Sequence, residues 1–187
     1  MSYIDSEALI LIDLQRTMAD PTRPPRNNPH AEANTARLLS AWRADGRPVI
    51  HVRHLSLEPI SGFYPGRPGA EFQDAFNPNA HEHVVDKHVT DAFAGSGLER
   101  YLHLRSINKL VFAGVATNYS VEATARSAAC LGFSVSVVSD ACFTFARADL
   151  DGVMRAADEI HLASLSNLNE EYAAIRTTDQ VLESFGR

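Results

Sequence analysis

The stretch Gly114-Val115-Ala116-Thr117-Asn118-Tyr119-Ser120-Val121-Glu122-Ala123-Thr124-Ala125-Arg126 follows the apolar, partly β-branched run Leu110-Val111-Phe112-Ala113. The run reads as a buried strand, and Ser120 to Leu131 reads as the helix behind it. A strand that ends in a turn of small residues and feeds a helix gathers side chains and free backbone N–H groups at one point. Open α/β folds build their anion and nucleophile sites at such points. Taken alone, Ser120 is an ordinary helix N-cap.

The rest of the chain repeats this alternation. Ala8-Leu9-Ile10-Leu11-Ile12-Asp13 is a continuous apolar run closed by an acid, the pattern of a central strand covered on both faces. Helical spacing runs from Ala31 through Ala36, Leu38, Leu39 and Trp42 to Gly46, and Pro48 to Arg53 reads as a second strand. Short strands are predicted at Val84–Lys87, Lys109–Gly114, Ser134–Val138 and Tyr172–Thr178. Helices are predicted at Gly97–Leu104 and Leu150–Leu165, with a closing turn at Val181–Phe185. Residues 17–29 hold four prolines and are read as irregular. Residues 54–82 hold further prolines and glycines in a connection too long to be ordinary, either a functional lid or a flexible insertion. Alternating elements of this size predict a three-layer α/β/α domain, residues 1–187, around an open, mostly parallel sheet.

With 45% hydrophobic and 21% charged residues the composition is that of a soluble globular domain. A net charge of −6 without a basic stripe argues against a nucleic-acid partner or an anionic membrane. The segment Met1 to Ala8 has no basic n-region, so no signal peptide is expected. Only two cysteines are present, Cys130 and Cys142, and not in CxxC spacing. That fits a cytoplasmic protein without structural zinc. Cys130 reads as a small buried hydrophobe within a helix. Cys142 lies past a strand on the site's side of the sheet and is a minor candidate nucleophile.

Three residues carry the chemistry. Asp13 stands at the carboxyl end of the first strand, where parallel sheets place their sites, although an acid there also serves as a turn cap. Lys87 closes Val84-Val85-Asp86-Lys87; a lone lysine after a strand is more commonly a solvated charge. The segments Leu11-Ile12-Asp13-Leu14-Gln15, Lys87 with Asp91-Ala92-Phe93-Ala94-Gly95-Ser96-Gly97-Leu98, and Gly114 to Ser120 occur in this order. Together they closely resemble the three motifs of the isochorismatase-like (cysteine hydrolase) superfamily. The resemblance implies that Asp13 is a general base, that Lys87 lies between the acid and the nucleophile, and that Ser120 occupies the nucleophile position. It also implies a cis Val115–Ala116 peptide, with the N–H groups of Ala116 and Ser120 forming an oxyanion hole.

Two departures matter. Most members carry cysteine where Ser120 stands, and a hydroxyl needs a stronger base than a thiol does. Asp13 is a poor base for that task unless burial raises its pKa. Position 120 is therefore either an engineered or degenerate nucleophile, or a natural serine that works differently. Asp91 replaces the more usual serine and has no account from sequence. In the region that supplies metal ligands in nicotinamidases, His54 and Ser56 stand at two ligand positions. That is too few donors, so neither a metal nor another cofactor is expected.

The implied activity is hydrolysis of a small carboxamide, carbamoyl or ureido compound. The alternatives are ether hydrolysis by Asp13 alone and a silent binding protein. Gln15, Tyr64, Phe93, Tyr119 and Phe143 are candidate substrate contacts, with Phe63 among the aromatics ringing the mouth. His51, Arg53 and His54 are candidates for an acidic substrate group. Family resemblance further implies a homodimer or homotetramer.

Overall fold

In the computed structural model, which describes residues 7–183 and 185, Glu7–Ile12 forms β1 at the centre of a six-stranded sheet. Ala8, Ile10 and Ile12 enter one apolar core and Leu9 and Leu11 the other. A strand whose alternate side chains feed two cores must be covered on both faces, which is why its run is unbroken by polar residues. Each of these leucines and isoleucines contributes roughly 1.5–3 kcal/mol on burial.

The chain continues through α1 (Ala31–Ala44), β2 (Val49–His54), β3 (His83–Lys87), α2 (Leu98–Leu104) and β4 (Lys109–Val115). It then passes through α3 (Glu122–Cys130), β5 (Ser134–Phe143), a small hairpin of β6 (Arg147–Ala148) and β7 (Met154–Arg155), and α4 (Ala157–Leu168). It closes with β8 (Ala174–Arg176) and α5 (Thr178–Glu183). The sheet order is β3-β2-β1-β4-β5-β8, with every neighbouring pair parallel. Leu38, Leu39 and Trp42 of α1 and Val181 of α5 pack on one face. Leu98 and Leu102 of α2, Ala125 and Ala128 of α3, and Leu165 and Leu168 of α4 pack on the other. The order reverses between β1 and β4, so the crevice at a topological switch point opens where these two strands end.

Three expectations need correction. The helix read from Leu150 begins at Ala157, because the Asp149 carboxylate accepts the N–H groups of Asp151 and Val153 and the Arg155 guanidinium. These bonds fold 149–155 into the hairpin tip, and the Glu159 carboxylate then accepts the Ala156 N–H to start the helix. β5 runs five residues beyond Val138, carrying Cys142 and Phe143 into the sheet. Cys130 is exposed at the end of α3 rather than buried.

The connection after β2 lacks long elements but is packed. Two 3-10 turns, Pro68–Ala70 and Asp74–Phe76, bury Ala70 and Phe76 against the body. Among the described residues no helix is long and apolar enough to cross a membrane. The segment Met1–Ser6, which carries most of the signal-peptide reading, lies outside the described residues.

Candidate active site

Asp13 follows β1 directly and takes a left-handed backbone with φ 52°. Its N–H donates to Val52 O at 3.0 Å, which fixes it against β2. Lys87 ends β3, two strands away across a gap of about 10 Å, and its four-carbon stem spans that gap. Nζ then donates to Asp13 Oδ2 at 2.8 Å, Ser120 Oγ at 3.1 Å and Val89 O at 3.2 Å. An ammonium has three donors, and all three are used. The three side chains are buried together: Lys87 is 1%, Asp13 2% and Ser120 7% exposed.

Ser120 sits in a short π-helical turn, Thr117–Val121, that links β4 to α3. Two features seat this turn. Gly114 has φ 137°, and a Cβ there would lie 2.1 Å from Ile12 O, so only glycine lets β4 come this close to the end of β1. On the far side α4 holds the turn: the His161 ring meets Thr117 Oγ1 at 2.8 Å, and Ser164 Oγ donates to Thr117 O at 3.1 Å. Thr144 Oγ1 donates to Asn118 Oδ1 at 2.5 Å. The Val115–Ala116 peptide is cis.

Electrostatics separate the members of the group. Burial pushes the Asp13 carboxyl above the usual carboxylate range, against the opposing pull of the Lys87 ammonium, the Ser120 hydroxyl and His54. Its second oxygen, Oδ1, is buried without a hydrogen-bond partner. The Cys142 thiol is buried and pushed up to about 12, which keeps it in the thiol form near neutral pH. Asp91 has a structural role: Oδ1 accepts the Phe93 N–H and Oδ2 accepts the Ser127 hydroxyl, joining the lysine loop to α3.

The expected substrate contacts divide. Tyr64 is exposed on the loop after β2 and Tyr119 on the π-helical turn, with the Arg147 guanidinium 5.3 Å from the Tyr119 ring centroid. Gln15 is fully buried; its amide donates to His54 O and Ala70 O and accepts from His54 N–H, so it clamps the loop after β2 instead of facing a ligand. Phe93 packs on Phe133 at 5.7 Å as part of the core around α2 and α3. Phe143 is fully buried within β5. His51 and Arg53 are also corrected as candidates for an acidic group: His51 is fully buried on Glu82 at 2.8 Å, and Arg53 is engaged by both oxygens of Asp86. Phe63 and His54 meet edge to face at 5.2 Å, and His54 lies beside Lys87 as its register partner. Among the described residues, no three His, Cys, Asp or Glu side chains are grouped to hold a metal ion.

Residues 7–180 match the isochorismatase domain family. The chain belongs to the isochorismatase family. Among isochorismatase-family relatives, the uncharacterised YrdC of Bacillus subtilis is 35% identical over 97% of both chains. An isochorismatase-family structure from Chromobacterium violaceum is 44% identical and covers 100% of this chain and 97% of its own, with a TM-score of 0.95. A shorter match of 28% identity, over 62% of this chain and 43% of the relative, is to the ureidoacrylate amidohydrolase RutB of Acinetobacter baylyi. This chain is accordingly an isochorismatase-family hydrolase.

Proposed function

We propose that this hydrolase cleaves the C–N bond of a small carboxamide, carbamoyl or ureido compound through Asp13, Lys87 and Ser120. The observation that carries the reading is the buried Lys87 ammonium, bonded at once to Asp13 and to Ser120. Burial raises the affinity of Asp13 for a proton, which supports its use as a base toward a hydroxyl. In this reading Ser120 Oγ bonds to the substrate carbonyl carbon while its proton passes to Asp13. The N–H groups of Ala116 and Ser120 hold the developing oxyanion, and the nearby Lys87 charge favours it. The C–N bond breaks as Asp13 returns that proton to the leaving nitrogen. Water then attacks the acyl group, gives its proton to Asp13 and releases the acid, and Ser120 regains its hydrogen. The RutB relative, by its name an amidohydrolase, supports the substrate class.

The test is ammonia release from a panel of small carboxamides and ureas by the wild type, Ser120→Cys and Ser120→Ala. Activity in the first two, none in the third, and an acyl adduct by mass spectrometry are expected. Full activity in Ser120→Ala overturns the covalent route and points to Asp13 acting alone.

A further inference from the structure

Helix α4 supplies none of the three reacting side chains, yet it turns two polar residues inward onto the turn that carries one of them. His161 and Ser164, neighbours on one helix face, are 9% and 2% exposed. Ser164 Oγ lies 3.1 Å from Thr117 O and 2.6 Å from Glu122 Oε2. His161 Nδ1 lies 2.8 Å from Thr117 Oγ1, which has no other hydrogen-bond partner among the described residues. Burial holds the ring's pKa below the ordinary 6.5, so the imidazole is neutral at neutral pH.

The second ring nitrogen assigns the tautomer. Asn28 Nδ2 stands 3.5 Å from Nε2, but its two hydrogens go to Ser139 O at 2.8 Å and Cys142 O at 2.7 Å. It has nothing left to donate to Nε2, whereas Ser139 O is an acceptor for the ring. Nε2 therefore carries the hydrogen, and Nδ1 is the bare acceptor of the Thr117 hydroxyl.

Thr117 opens the turn, and the turn is wound unusually. Val121 N–H donates to Ala116 O at 3.3 Å and Glu122 N–H to Thr117 O, both reaching back five residues where an α-helix reaches back four. A π turn holds one residue more than an α turn, so tightening to α winding would rotate Ser120 about the helix axis. Ser120 Oγ would then leave Lys87 Nζ, which it meets at 3.1 Å. The fixed point that resists this slip is Thr117, gripped from α4 by both its hydroxyl and its carbonyl.

We propose that His161 is a positioning residue for the hydrolysis, holding the Thr117 hydroxyl so that the turn keeps its π winding and Ser120 stays on Lys87. His161 makes no hydrogen bond to Asp13, Lys87 or Ser120 among the described residues, so it acts through the turn alone. Its part in turnover rests on the amidohydrolase reading; its part in placing Ser120 does not.

The deciding variant is Thr117→Val, which removes the hydroxyl and keeps the branched shape, so the test does not depend on His161→Leu folding. The crystal structure of Thr117→Val is expected to show Ser120 Oγ beyond hydrogen-bond reach of Lys87 Nζ. With an amide from the carboxamide and urea panel, kcat should fall roughly 10- to 100-fold in Thr117→Val and His161→Leu, with KM changed less than about twofold. Thr117→Ser, and His161→Asn, which keeps an acceptor in place of Nδ1, should each recover most of that loss. A merely structural contact would lower the melting temperature and leave kcat alone. The 3.1 Å bond intact in Thr117→Val, or an unchanged kcat, overturns the proposal. If the wild type releases no ammonia from any panel compound, the amidohydrolase reading fails and the Thr117→Val structure alone decides: a displaced Ser120 supports the positioning role, and an intact bond overturns it.

Discussion

Two buried acids in this molecule, each beside a cation, have come to opposite states. Glu82, just before β3, accepts two bonds from the Arg43 guanidinium, one from the Asn79 N–H and one from the His51 ring. Burial alone raises its pKa, but Arg43, Asn79 and His51 together bring it down to about 2. Asp13 has Lys87 on one oxygen and no hydrogen-bond partner on the other. There burial outweighs the ammonium, and the carboxyl holds its proton more tightly than a free acid. The depth of burial and the number of donors, not the presence of a positive neighbour, decide which effect wins. A fully bonded carboxylate is a fixed anion that joins elements; a half-bonded one can take up and release a proton.

The largest effect that would break this contrast is in Asp13→Asn. The amide keeps the shape and tolerates the left-handed backbone but cannot carry a proton, so kcat/KM should fall about 10²–10⁴-fold with little change in melting temperature. Loss of stability without loss of turnover would make Asp13 a structural acid like Glu82.

The mirror experiment is Glu82→Gln, which removes the anion from Arg43 and His51. We expect roughly 1–3 kcal/mol less stability in denaturant titrations, with kcat changed less than twofold. An equal fall in kcat would show that the two acids are coupled.

Acid titration sharpens the contrast further. Glu82 has a folded pKa below its ordinary 4.5, so its stabilisation is present above pH 4.5 and is lost as pH falls toward 2. Asp13 has a raised pKa, so its contribution is full below 3.8 and declines as pH rises through its folded value. Stability of Glu82→Gln should therefore fall less steeply between pH 4.5 and 2 than that of the wild type. Asp13→Asn should weaken less as pH rises above 3.8. Curves parallel to the wild type in both variants would refute the assignment.

The smallest effect is expected at Asp91, a half-buried acid with two neutral donors. Asp91→Ser keeps a side-chain oxygen for the Phe93 N–H but loses the Ser127 bond, costing about 0.5–1.5 kcal/mol in the same denaturant assay. A larger loss would mean that Asp91 also orders the lysine loop.

Much of this was legible in the sequence, for particular reasons. Unbroken apolar runs such as Ala8 to Ile12 occur where both faces of a strand are covered, and the sheet follows from them. Asp13, Lys87 and Ser120 are separated by 74 and 33 residues, and motif resemblance, not local pattern, joined them. Gln15, Phe93 and Phe143 were misplaced because residue type does not show whether a polar or aromatic side chain turns inward. The hairpin at 147–155 was hidden in a helix-like pattern, since Asp149 organises it through side-chain bonds that periodicity does not register. His161 fell inside the helix read from Leu150, yet spacing alone does not say that its ring turns onto Thr117.

The long connection after β2 meets the floor of the site through few side chains. Gln15 grips it at His54 and Ala70; a Cβ at Gly62 would overlap Thr17 Oγ1, and one at Gly69 would overlap Gly62 O. Asp13, Ser120 and the sheet beneath them do not depend on the composition of residues 56–69. The protein is therefore divided into a buried floor and an overlying faceplate. Grafting a different 56–69 segment, with glycine kept at 62 and 69, is expected to leave the Asp13–Lys87–Ser120 group beneath it unchanged.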